Sequence, residues 1–81
     1  MKIRVRLFAA ARQLAGRESL IVELADGATV AELRLALAGL CPELTTLLPH
    51  ALWAVDAEYA RDQDRVSEGC EVACIPPVSG G

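Results

Sequence analysis

At 81 residues and a formal net charge of −3, the chain holds one domain, and it lacks the concentrated basic surface that phosphate neutralisation needs, which argues against nucleic acid as a partner. Hydrophobic residues make up 53% and charged residues 23%, a packed globule and not a disordered chain. No apolar run reaches bilayer length and no secretory signal opens the chain, so a soluble, cytoplasmic protein without membrane association is expected.

The first strand lies in "KIRVRLF", where Ile3, Val5 and Leu7 alternate with Lys2, Arg4 and Arg6. That period of two buries one face and leaves Phe8 on the outward, charged one. "AAARQLAG" predicts a short helical turn with Gly16 just past its end. A second strand, "SLIVEL", puts Leu20, Val22 and Leu24 on one face, and Asp26-Gly27 then turns the chain. The one long helix begins at "TVAE", where Thr29 and Glu32 can form a capping box. Val30, Leu33, Leu37 and Leu40 form its predicted buried stripe with Ala36 beside them, and Gly39 and Pro42 end it. Beyond an irregular stretch, "ALWAVD" predicts a short strand near an edge, with Trp53 as packing. Residues 58–60 predict an edge strand, and Ser67-Glu68-Gly69 turns into a last strand, "CEVACI".

Candidate chemistry is sparse. Lys2, Arg4, Arg6, Arg12 and Arg17 precede Glu18, the first acidic residue, so one end of the sequence is basic; a solvated face is the default reading and a docking patch the alternative. Cys41, Cys70 and Cys74 form no C-x-x-C and leave one thiol unpaired in any disulfide scheme, which favours reduced thiols. His50 is the lone histidine, so neither a zinc site nor a base-activated nucleophile is expected. No glycine-rich phosphate loop is present. The chain reads as having no catalytic site of its own and no stably bound cofactor.

That leaves the ending, "IPPVSGG". Pro76 and Pro77 favour an extended stem, and Val78, Ser79, Gly80 and Gly81 make neither helix nor strand. The two glycines lack a β-carbon, so the tip can enter a narrow channel, and the carboxylate of Gly81 is a carbonyl that another enzyme can activate without cutting the chain. Residues 76–81 are read as a functional tail on a single domain.

The ending "GCEVACIPPVSGG", the opening "VRLFAAARQLAG" and the helix "TVAELRLAL" together resemble the small, sulfur-carrying subunit family of molybdopterin synthase, over nearly the whole chain. The resemblance implies an α+β fold of the β-grasp, ubiquitin-like kind: a mixed sheet, one main helix across one face, the last strand beside the first and a flexible Gly-Gly tail. It also implies a mechanism. An ATP-dependent adenylating enzyme activates Gly81, sulfur from a donor such as a persulfide replaces AMP, and the thiocarboxylate serves a large catalytic subunit that makes the dithiolene of the molybdenum cofactor. Two carriers per product fit a heterotetramer. In this reading Gly81 carries the sulfur and Gly80 gives access. Cys70 and Cys74 stand where that family often has Asp and Phe; a redox role for Cys70 near the tail's stem is weighed against the usual behaviour of buried cysteine as a small hydrophobe.

Strand parity adds a docking expectation. Counting from the inward residues, Phe8, Ala73 and Ile75 point outward on neighbouring strands, with Arg4 and Arg6 behind them, and form with residues 76–79 the surface the large subunit would bind. Rival readings are a carrier of the same fold for thiazole synthesis or tRNA thiolation, and a ubiquitin-like modifier joined to lysines.

Overall fold

The computed structural model describes residues 1–77, so Val78, Ser79, Gly80 and Gly81 lie outside the described residues. Its elements are β1 (Lys2–Leu7), α1 (Ala9–Ala15), β2 (Ser19–Glu23), α2 (Val30–Leu40), 3-10 turns at Pro42–Leu44 and Leu48–His50, β3 (Leu52–Val55), β4 (Glu58–Ala60) and β5 (Glu71–Ile75). The strands form one five-stranded sheet in the order β2-β1-β5-β3-β4. β5 runs parallel to β1 and every other pairing is antiparallel, so the last strand does lie beside the first.

Alternation decides the faces. Ile3, Val5 and Leu7 on β1 and Val72 and Cys74 on β5 point inward and are sealed from solvent, while Lys2, Arg4 and Arg6 point out. The inward row packs beneath α2, whose Val30, Leu33 and Leu37 are fully buried. Thr29 Oγ1 accepts from the Glu32 amide at 3.3 Å and Glu32 Oε1 accepts from the Thr29 amide at 3.1 Å, the reciprocal capping box expected from "TVAE". Arg34 donates from both terminal guanidinium nitrogens to the two carboxylate oxygens of Asp62 at 2.7 and 3.0 Å, tying the 61–65 segment to the helix and holding the Asp62 carboxyl below its ordinary range.

Two expectations about α2 need correction. Leu40 belongs angularly to the stripe but is 58% exposed, because the end of the helix overhangs β2, the edge strand, where Leu40 lies beside Ile21 in an open groove. Cys41, which follows it, is buried instead. Gly39 does not end the helix either; helical backbone continues through Leu40, and Pro42 opens a separate 3-10 turn. Trp53 packs in the core as expected, at 4% exposure.

Cys74 stands fully buried within the core cluster. Burial pushes its thiol up from an ordinary 9.0 to about 11. The unfolded chain's thiol therefore ionises first, and native stability should fall as pH rises from about 9 to about 11. Burial, then the nearby Glu43 carboxylate, raises Cys41 too, with the same sign. Denaturant titrations across this window should show a shallower decline for Cys74→Val than for the wild type; equal declines would clear Cys74 as the cause.

Candidate docking surface and carrier tail

The sheet's outward face, away from α2, is a grid set by strand register. Arg6 on β1 pairs with Ala73 on β5, Ala73 with Ala54 on β3, and Ala54 with Tyr59 on β4, giving one row across four strands. The next row toward the end of β5 holds Ile75 and its partner Leu52. Phe8 sits beside Ile75 because its amide continues the β1–β5 ladder, donating to the Cys74 carbonyl at 3.3 Å. Together Phe8, Ala54, Ala57, Tyr59, Ala73 and Ile75 line an open apolar cleft of ≈ 410 Å³. Its floor is alanine and its walls are large side chains. Phe8 is 37% exposed and Tyr59 75%, apolar surface that is costly to leave in water.

One side of the cleft is charged. Arg6 lies with its guanidinium carbon 5.4 Å from the centre of the Phe8 ring and pairs with Glu71 at 3.1 Å. Arg4 and Arg12 continue the basic surface around a neighbouring polar hollow shared with Glu18, Ser19 and Glu71. Glu71 is in turn held by Asp56, whose carboxylate accepts from the Glu71 amide at 3.0 Å and whose own amide donates to the Glu71 carbonyl at 2.8 Å.

Parity thus brings Phe8, Ala73 and Ile75 together with Arg6, as the sequence implied, and Arg4 lies farther along β1. Pro76 differs: its ring is buried, so it belongs to the folded body, and the stem open to a partner starts at exposed Pro77. Val78, Ser79, Gly80 and Gly81 fall outside the described residues. Cys70 is not near the stem. It precedes β5 at the end opposite Ile75 and is buried at 8% exposure, the setting of a packing residue. Sequence reasoning missed Ala54, Ala57 and Tyr59 as cleft residues, and had Arg12 only within the basic end of the sequence, where a docking patch was the alternative reading. Ala54 and Tyr59 were available, since period-two counting through "LWAVDAEYA" puts them on one face with Leu52 once the tight turn at Asp56-Ala57 is recognised. Among the described residues no group of His, Cys, Asp and Glu could hold a metal ion, and no helix is long and apolar enough to cross a membrane.

A mixed five-stranded sheet with β5 parallel to β1 and a main helix across one face is the ubiquitin-like β-grasp fold. Within that fold the chain belongs to the ThiS family, whose model matches residues 5–81. It is 39% identical over 83 residues to the molybdopterin synthase sulfur carrier subunit of Chlamydomonas reinhardtii, covering all of both chains. The crystal structure of SAMP1 from Haloferax volcanii superposes with a TM-score of 0.90 at 29% identity, again over the whole of both chains. A Helicobacter pylori chain from the complex of subunits 1 and 2 of molybdopterin-converting factor superposes at a TM-score of 0.70 and 22% identity over all of both chains, a likeness of fold.

Proposed function

We propose that this chain is the sulfur-carrying small subunit of a molybdopterin synthase, with Gly81 as the carrier residue. The observation that carries the reading is geometric: the apolar cleft lies beside the end of β5, the strand from which the P-P-V-S-G-G segment departs. A partner seated on the cleft would receive that segment in its own active site. The whole-length likeness to a relative that bears this name supports the same assignment.

The chemistry then divides between chain and partners. A carboxylate resists nucleophiles because it is anionic and has no leaving group. An adenylating enzyme uses ATP to convert the Gly81 carboxylate to an acyl-adenylate, releasing pyrophosphate. The terminal sulfur of a persulfide displaces AMP, and a thiol reductant cleaves the remaining S–S bond to leave the thiocarboxylate. The large subunit uses that sulfur on the cyclic pterin precursor. This chain's own contribution is to dock, through Phe8, Ile75 and their arginine margin, and to present Gly81. It keeps no cofactor, and ATP serves the activating enzyme.

A protein modifier is the second reading, favoured by the superposition on SAMP1, a small archaeal modifier protein. Intact mass spectrometry of the chain, incubated with ATP, a sulfur donor and a purified adenylating enzyme, separates the two. A carrier gains the mass of sulfur replacing oxygen at the terminus; a modifier gives adducts on target lysines. Sulfur uptake with the adenylating enzyme omitted would contradict the division of labour proposed above.

A further inference from the structure

Six described residues adopt left-handed backbone angles. Three are glycines, Gly16, Gly27 and Gly69, at which the conformation is free of steric cost; the others are Ala9 at φ 49°, Asp56 at φ 49° and Ala57 at φ 69°. Asp56 and Ala57 form the two-residue turn between β3 and β4, where Val55 pairs with Glu58. Both central residues of such a turn need positive φ, and the usual solution puts glycine second. Asp56 has a reason to be there: its carboxylate and amide both grip Glu71. Ala57 has none within the monomer. It is exposed and makes no side-chain hydrogen bond, and a left-handed alanine costs stability that glycine would recover. What Ala57 does is line the apolar cleft, together with Phe8, Tyr59 and Ile75.

We infer that Ala57 is a contact residue of the docking cleft, holding its methyl group against the large subunit at a cost to the monomer's stability. The inference rests on the proposed function for the identity of the occupant. Strained backbone that packing alone does not require gathers at binding surfaces, because stability is traded there for shape. Replacing Ala57 by glycine removes the strain and the contact together, so the two readouts move in opposite directions.

The test uses the whole chain and the purified large subunit, with Tm of the free chain and Kd of the complex measured for three proteins. Ala57→Gly should raise Tm by about 4 °C and weaken assembly about fourfold, the factor expected for one CH₂-sized group withdrawn from an apolar contact. Ala9→Gly is the control, since Ala9 is also left-handed and exposed but lies outside the cleft lining; its Tm should not fall and its Kd should match the wild type. An Ala57→Gly chain that assembles like the wild type, or that melts lower, overturns the inference. If Ala9→Gly weakens assembly as much, strain and not the methyl group is responsible, and the inference also fails. A wild-type chain that does not bind the large subunit removes the docking reading itself, which separates that failure from this one.

Discussion

A chain lacking Gly81 is expected to lose sulfur transfer completely while folding as before. Among the described residues the core that sets stability runs from Ile3 through Val72 and Cys74, and a glycine has no side chain to add to a core. Deleting Gly81 moves the reactive carboxylate back to Gly80, one residue short of where a partner's chemistry is aligned, and positional errors of about 1 Å can cost on the order of 10²-fold in rate. Adding a residue after Gly81 buries the carbonyl in a peptide bond and should abolish activity as well. Circular dichroism and thermal melting should match the wild type in both variants. Sulfur transfer at wild-type rate by either one would remove Gly81 from its role.

The second large effect is on assembly. Phe8→Asp places a carboxylate in the wall of the apolar cleft, where docking would strip its water, and should weaken binding of the large subunit by about 30-fold or more, the loss typical of a disrupted interface anchor. Ile75→Asp should do the same. Their effects on the free chain differ. Phe8 is exposed and follows β1, so its replacement should leave Tm nearly unchanged. Ile75 is half-buried at the end of β5, and aspartate there should lower Tm by several degrees without unfolding the domain. Titration calorimetry with the large subunit, alongside melting of the free variants, reads both quantities. Unchanged affinity in both variants would place the interface elsewhere.

Most of the sheet could be read directly from residue alternation, because strands such as "KIRVRLF" bury one face and leave the other wet. The capping box and the glycine turns were equally local. Leu40 was not legible, since its exposure depends on where the helix ends relative to an edge strand, a tertiary relation that periodicity does not encode. Pro76 followed the same pattern: proline suggests an extended stem, but whether its ring is buried depends on the body behind it. The docking cleft was half legible. Phe8 and Ile75 followed from parity on β1 and β5, while Ala57 did not, because a turn usually built with glycine carries Asp-Ala here. The placement of Cys70 failed for a simpler reason: five residues of extended strand separate it from the tail's root.

Delivery of sulfur from Gly81 to a precursor held by the partner is the role proposed for this chain. The most direct measurement mixes the chain, carrying a C-terminal thiocarboxylate, with the purified large subunit and the cyclic pterin precursor, and quantifies molybdopterin. Product should form in proportion to the thiocarboxylate supplied, two carriers consumed per dithiolene, with the carrier recovered as the ordinary carboxylate. A thiocarboxylate that persists with no molybdopterin formed, in the presence of a large subunit active with another carrier, would contradict it.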